Sequence, residues 1–257
     1  MIAVVTPTLN SEKYLRFTFE SIKKMLEDGK CKYLIVDGGS TDSTLKFCSE
    51  NSIKVFYLPK GNMYKAINFG LKQLDVEWIT YINSDDMLNA EAVLDAIDKY
   101  GENADIIYGN TRYIDNWGKL IYRYKGAHTS LFDGLFLNGQ LPFSQPGTII
   151  RADIYHKLGG FSESYKYASD LDFFLMAYLS GVKFKHYKLD DLASFRIHVS
   201  QISQTQSNAM NLEIKEILSK YQKNLNKKYF GFDIYINKFI NFKSFFSRFI
   251  YLIKRSY

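Results

Sequence analysis

Trp78-Ile-Thr-Tyr-Ile82 runs directly into Asn83-Ser-Asp-Asp86. A short apolar run rich in β-branched and aromatic residues reads as a buried strand. The polar segment after it then lies at the carboxyl end of that strand. Two adjacent carboxylates raise one another's pKa and are costly without a compensating cation. A hard divalent ion, Mg²⁺ or Mn²⁺, held by one or two carboxylates and by substrate phosphates, removes that cost. In the other reading Asp85 and Asp86 simply open the next helix, where acidic groups favour the dipole. The surrounding pattern decides between them.

Upstream, Ile2-Ala-Val-Val5 is a second apolar run, followed by the turn Thr6-Pro-Thr-Leu-Asn10. Ser11 is placed to cap a helix whose apolar positions Tyr14, Leu15, Thr18, Phe19, Ile22 and Met25-Leu26 recur at helical spacing. Tyr33-Leu-Ile-Val36 is a third strand, ending in the loop Asp37-Gly-Gly-Ser-Thr-Asp42, where Asp42 reads as the N-cap of a helix from about 43. A strand at 53–57, helices over 63–74 and 89–100, and a strand at 105–108 continue the series. Repeated β-α-β units of this length predict an α/β fold with a mostly parallel sheet and helices on both faces. Ligands of such sheets bind beyond the carboxyl ends of the strands. Three polar loops lie there: one with Thr6, Thr8 and Asn10, one opening with Asp37, and one ending in Asp85-Asp86. That position favours the metal reading of the pair.

After residue 108 the rhythm changes. Residues 111–115 and 119–124, joined through Asn116-Trp-Gly118, read as a hairpin. A strand at 148–151 leads into a helix ending at Gly159-Gly160. A helix at 169–180 and strands at 182–187 and 193–197 follow, and from Asn208 the chain reads as helical and basic.

Composition bounds the classes. The chain has 257 residues, 46% hydrophobic and 23% charged, which excludes wholesale disorder and leaves room for one large α/β domain or two small ones. Cys31 and Cys48 form no CxxC pair, which excludes a zinc module or a disulfide scaffold. The net charge of +6 is uneven: residues 1–210 hold 23 Lys+Arg against 24 Asp+Glu, and residues 211–257 hold 10 against 3. A nearly neutral body argues against a nucleic-acid binder. No basic and apolar leader opens the sequence and no run of about 18 apolar residues occurs, so a cytoplasmic location with reduced thiols is expected.

Together these segments resemble glycosyltransferase family 2, which has the Rossmann-like GT-A fold. Thr6-Pro-Thr-Leu-Asn10, Val36-Asp-Gly-Gly-Ser-Thr-Asp42, Gly61-Asn-Met-Tyr-Lys-Ala-Ile-Asn-Phe-Gly70 and Asn83-Ser-Asp-Asp86 look like its nucleotide-sugar half. Ser144-Gln-Pro-Gly-Thr148, Gly159-Gly-Phe161, Ser169-Asp-Leu-Asp172 and Arg196-Ile-His198 resemble its acceptor half. The resemblance implies a glycosyltransferase domain over 1–205, with a nucleotide-sugar half at 1–110 and an acceptor half at 111–205. A basic, aromatic helical extension would occupy 206–257. The implied reaction is inverting, metal-dependent transfer of a hexosyl or N-acetylhexosaminyl unit from a nucleotide sugar, expected to be UDP-linked, to a hydroxyl acceptor.

Site roles follow from the same resemblance. Asp37 would accept from the N3–H of a uracil or thymine, with Thr6 and Thr8 lining the base and ribose pocket and Asn68 also on the donor side. Asp86 would be the principal Mn²⁺ or Mg²⁺ ligand, with Asp85 on ribose or metal-bound water and His198 approaching from the far side. Asp170 would be the general base that takes the acceptor's proton, and Gln145 and Asp172 would lie on the acceptor side. Each has a plainer structural reading: turn formation for Asp37, loop packing for the threonines, and helix capping around Ser169 for Asp170. Two departures stand out. Lys65 occupies a position where relatives often carry an acidic residue, and the Gln-x-x-Arg-Trp motif of processive synthases is absent, which argues for one sugar per encounter.

In the tail, 11 of the 29 residues from Tyr229 to Tyr257 are Phe or Tyr. Tyr235, Phe239, Phe242, Phe246, Phe249 and Ile253 form one stripe, and Asn237, Asn241, Ser244, Arg248 and Arg255 a narrow opposite one. Such a helix packs on its own domain, pairs with a second subunit, or lies in a membrane interface with Lys227, Lys228, Lys254 and Arg255 near lipid phosphates. The membrane reading suits a peripheral enzyme at the inner face of the cytoplasmic membrane. Its acceptor would be a glycan or a polyprenyl-diphosphate-linked sugar in polysaccharide or lipopolysaccharide synthesis. The alternatives are a sugar-phosphate nucleotidyltransferase, whose Gly-rich basic loop Thr6–Asn10 lacks, and an inactive nucleotide-sugar-binding scaffold.

Overall fold

Ile2, Ala3, Val4 and Val5 are fully buried because β1 (Ile2–Thr8) lies inside a sheet, between β2 (Cys31–Asp37) and β4 (Trp78–Tyr81) and parallel to both. The computed structural model describes residues 1–198, 206–225 and 230–255. β3 (Lys54–Tyr57) adds parallel to β2, and α1 (Glu12–Glu27), α2 (Thr44–Glu50) and α3 (Met63–Leu71) make the crossovers. Ala3 and Val5 feed the apolar core on one face of the sheet, and Ile2 and Val4 the core on the other, as the two-residue period of a strand requires. This half is parallel, as the β-α-β rhythm predicts.

Beyond β4 the sheet becomes mixed. β8 (Thr148–Arg151) runs antiparallel between β4 and β6 (Ile106–Ile114). β6 pairs parallel with β9 (Phe184–Arg196) and forms the expected hairpin with β7 (Leu120–Tyr124), while β5 (Met87–Leu88) adds antiparallel to β9. Two pairs of expected strands are each one strand. The strand at 105–108 continues into the hairpin as β6, and β9 joins the strands at 182–187 and 193–197. Gly109 pairs with Tyr187 and Asn110 with Asp191, so Lys188, Leu189 and Asp190 bulge out of the ladder. That polar interruption hides the continuity from a period-two reading.

The helix starts are capped differently from expectation. Ser11 makes no cap on α1; its hydroxyl lies 2.8 Å from that of Ser84. Instead the carboxylate of Asp42 accepts from the N–H groups of Glu12 and Thr44, and Glu12 accepts in return from the N–H of Ser43. One reciprocal arrangement thus fastens the starts of α1 and α2 together. α4 (Ala90–Tyr100) is capped by Asn89, whose side chain accepts from the N–H of Ala92. Asp85 and Asp86 therefore precede the helix rather than open it.

The remaining helices are α5 (Phe132–Leu137), α6 (Ala152–Lys157), α7 (Ser169–Leu179), α8 (Ser207–Tyr221), α9 (Phe230–Ile240) and α10 (Phe242–Arg255). α8 packs on α7, α9 on α5, and α10 on β7. In the last two helices the described part of the narrow polar stripe, Asn237, Asn241 and Ser244, faces inward. Asn241 accepts from the N–H of Lys125 at 2.8 Å and donates to its carbonyl at 3.2 Å, and the Ser244 hydroxyl bonds the carbonyl of Arg123. Asp233 accepts from the N–H of Gly134, where a Cβ would stand 2.4 Å from that of Asp233. The aromatic stripe faces outward: Tyr235 is 72% exposed, Phe239 83%, Phe242 65% and Phe246 57%. This argues against the alternative in which those rings pack on their own domain. Lys227 and Lys228, and the side chains of Arg248, Phe249, Ile253, Lys254 and Arg255, lie outside the described residues. Among the described residues no helix is long and apolar enough to cross a membrane.

Candidate functional site

A cleft of about 890 Å³ opens beyond the carboxyl ends of β1, β2 and β4, where Thr8, Gly38, Asn83 and Asp85 line it. Asp170, at the start of α7, lines the same cleft, and so do His198 and Gln145. Three loops remote in sequence are thereby brought to one surface, at the edge where an α/β sheet binds ligands.

Asp85 and Asp86 have opposite environments. Asp85 faces the cleft, and its Oδ2 lies 2.7 Å from Nε2 of His198, whose ring packs against Tyr14 at 5.2 Å between centroids. Asp86 is fully buried and does not line the cleft. Its carboxylate accepts from the N–H of Arg196 at 2.9 Å and from the side-chain amide of Asn83 at 3.4 Å. Burial, and next the charge of Asp85, push its carboxyl well above the usual carboxylate range. Asp86, expected as the principal metal ligand, is thus turned away from the cleft and fixes the turn beneath Asp85, which faces it. Arg196 holds the turn from the other side. It is buried between the rings of Tyr14 and Phe17, and its guanidinium donates to the carbonyls of Asp85, Asp115 and Asn116.

Asp37 is buried, with four donors on its carboxylate. Oδ2 accepts from the hydroxyls of Thr8 and Ser40, and Oδ1 from the N–H groups of Gly39 and Ser40. Burial alone would raise its pKa; the hydrogen bonds from Ser40, Thr8 and Gly39 outweigh it and leave the group below its ordinary value. A carboxylate offers about four acceptor positions, so all are occupied, three by its own loop and one by Thr8. Thr8 lines the cleft, whereas Thr6 is fully buried and does not. Asn10 supports the same rim from a left-handed backbone at φ 52°, accepting from the N–H of Thr41 while its own N–H donates to Ser40.

On the opposite wall, Asp170 Oδ1 accepts from the Tyr64 hydroxyl at 3.2 Å and from the N–H of Leu171 at 2.9 Å. Burial lifts its carboxyl to about 6, against the pull of those two hydrogen bonds. Ser169 does not cap α7; Ala168 holds the cap position. Gln145 lines the cleft and donates to the carbonyl of Tyr81 at 3.0 Å.

Two expected contacts lie elsewhere. Asn68 does not line the cleft. It brackets the turn before α7, donating to the carbonyl of Phe161 and accepting from the N–H of Phe161 and the Tyr155 hydroxyl. Asp172 is buried with its Oδ1 3.3 Å from Nζ of Lys220. Sequence reasoning missed Tyr64, which reads as one more apolar position on α3. It also missed the aromatic shelf of Tyr113, Tyr124 and Phe195, which lines the cleft from β6, β7 and β9. Period-two alternation marks those rings only as one face of a strand.

The family model described as glycosyl transferase family 2 matches residues 3–162. An uncharacterized glycosyltransferase of Rickettsia typhi is 24% identical over 89% of this chain and 73% of its own length. The poly(ribitol-phosphate) β-N-acetylglucosaminyltransferase TarS of Staphylococcus aureus is 29% identical over 70% of this chain and 32% of its own. Among solved structures, TarS 1–349 in complex with UDP-GlcNAc superposes with a TM-score of 0.65 at 21% identity, covering 87% of this chain and 72% of that one. That likeness shows the GT-A fold.

Proposed function

Because the chain belongs to glycosyl transferase family 2 and is a glycosyltransferase, we propose that it transfers one sugar per encounter, with inversion, from a UDP-linked donor to an acceptor hydroxyl. The observation that carries this is Asp170: a carboxylate lifted to about 6, in the same cleft as the strand-end loops. As the acceptor oxygen bonds to the anomeric carbon, Asp170 takes its proton, and the bond to the nucleotide diphosphate breaks with the electron pair leaving on the diphosphate. A single displacement inverts the carbon. The names of the TarS relatives support an N-acetylhexosamine donor, and the UDP-GlcNAc complex of TarS supports the uridine nucleotide.

Asp85 and His198 are the residues that would hold Mn²⁺ or Mg²⁺. A carboxylate and an imidazole nitrogen 2.7 Å apart at the cleft suit such an ion. Among the described residues no cluster of three or more His, Cys, Asp or Glu exists to hold a metal alone, so donor phosphates would complete the set. When bound, the ion neutralises charge building on the leaving diphosphate. Asp37 orders the Gly38–Ser40 rim on which the base would lie, and a uracil N3–H would reach its carboxylate in exchange for the Ser40 hydroxyl. The acceptor sugar would rest on Tyr113, Tyr124 and Phe195. The exposed aromatic face of α9 and α10, beside Lys238 and Lys243, would dock on the inner face of the cytoplasmic membrane, where a polyprenyl-diphosphate-linked acceptor is presented.

The test is Asp170→Asn. A panel of UDP-, GDP- and dTDP-sugars, read as thermal stabilisation with Mn²⁺, first selects the donor. The variant should keep that stabilisation while transfer falls about 10²–10⁴-fold. Transfer at the wild-type rate would remove Asp170 from the role of base.

A further inference from the structure

α8 lies beyond the span matched by the family model, yet one of its faces grips the segment that carries Asp170. Glu213, Glu216 and Lys220 recur at positions i, i+3 and i+7, and so share that face. Glu213 Oε1 accepts from the N–H of Lys166 at 2.8 Å, and Oε2 accepts from those of Tyr167 at 2.8 Å and Ala168 at 2.9 Å. Glu216 accepts from the Tyr165 hydroxyl at 3.3 Å, and Lys220 pairs with Asp172. Three successive backbone N–H groups converging on one carboxylate form a nest that fixes the direction of the chain through it. The chain leaves that nest directly into the first turn of α7.

We propose that Glu213 is a positioning residue for Asp170: by holding residues 166–168 it sets the angle at which the carboxylate enters the cleft, and makes α8 part of the catalytic unit. The inference rests on the reading of Asp170 as the base. Lys166 and Tyr167, on the held loop, line the cleft themselves, as does Met210 of α8. A shift of this loop therefore moves the cleft wall and the base together. Ala168 brings no capping side chain of its own to α7, so the entry to the helix is ordered from outside.

Among the described residues, the titratable groups that act on Asp170 or feel its charge are Tyr64 of α3, Tyr81 of β4 and Glu213, and Lys166 of the loop lines the same cleft. The negative charge of Glu213 adds to burial in raising Asp170. Loss of that charge should move the acid limb of the pH–rate profile to lower pH, an effect that fastening α8 in place would not produce.

The experiment compares full-length wild type with Glu213→Gln, Glu213→Asp, Glu216→Gln and Asp170→Asn, using nucleotide release from the panel-selected donor at pH values spanning 6. Glu213→Gln should lower kcat about ten- to a hundredfold with donor KM unchanged, and should displace the acid limb downward. Glu213→Asp, shorter but still charged, should lose kcat with the limb in place. Glu216→Gln, which touches only the Tyr165 side chain and not the nest, should lose less kcat than Glu213→Gln and leave the limb in place. If Glu213→Gln keeps the wild-type kcat and limb, or loses only Tm, Glu213 merely anchors α8 and the proposal fails. If Asp170→Asn itself releases nucleotide at the wild-type rate, the base assignment fails and takes this one with it.

Discussion

Side chains of adjacent residues in a tight turn point to different sides of the chain, so only one of Asp85 and Asp86 can face the cleft. Here the turn is closed by the N–H of Asp86 on the carbonyl of Asn83, and Arg196 pins it through the carbonyl of Asp85. The sequence makes the pair legible as a strand-end acidic site. It cannot rank the two, because their roles depend on β9 arriving to pair with β5 and bringing the Arg196 N–H under Asp86. Asp37 teaches the same lesson: its position is readable, but the loop conformation that turns three local donors onto it and the arrival of Thr8 beside it are not. The proposed divalent ion, shared with donor phosphates, sets the prediction. Asp85→Ala should abolish Mn²⁺-dependent thermal stabilisation by the donor. Asp86→Ala should retain it but cost about 1–3 kcal/mol of stability, because the buried N–H of Arg196 loses its acceptor. The opposite outcome, with binding lost only in Asp86→Ala, would return the metal to Asp86.

At the scale of elements, α9 and α10 show how far amphipathic pattern can be read. The two stripes are legible as a wide aromatic one and a narrow polar one. Which faces inward is not, because apolar faces ordinarily turn to the core. Here Asp233, Asn237, Asn241 and Ser244 dock by hydrogen bonds on backbone groups of α5 and β7 and on Tyr124, a form of burial that polar side chains with matched partners tolerate. The rings are left outside, flanked by exposed lysines. A helix of that kind partitions into a lipid interface through its apolar area and is drawn to anionic headgroups. The triple variant Phe239→Ser, Phe242→Ser, Phe246→Ser should lose flotation with phosphatidylglycerol-containing vesicles while its Tm stays within about a degree of wild type, as expected for exposed sites. Equal flotation of both proteins would sink membrane docking, and a dimer that becomes monomeric in the variant would assign the face to a second copy.

For the molecule as a whole, legibility follows the chain's periodicity. Each parallel strand of the first half is separated from the next by an amphipathic helix, so period and length announce it. The later strands pair across long sequence separations, and bulged polar residues break β9 into two apparent strands. The cleft lies where the strand-end loops meet α7, and Asp170 sits half-buried at the start of that helix. That arrangement has a global consequence. An acid whose pKa rises from 3.8 to about 6 on folding contributes stability that is fully present below the unfolded value and is lost as pH rises through the folded one. Asparagine at 170 stays neutral and can still accept from Tyr64 and Leu171. Asp170→Asn should therefore match wild type in Tm near pH 4 and exceed it by a margin that widens up to about pH 6 and is constant above it. Asp86, also raised, is present in both proteins and cancels from the difference. Asp37, lowered by its donors, loses its contribution only as pH falls through its depressed value, below this window. A variant that is inactive yet more stable at neutral pH would show that the fold bears a stability cost to keep its base desolvated. A Tm difference that stays flat from pH 4 to 7 would mean that Asp170 is as well solvated in the cleft as in the unfolded chain.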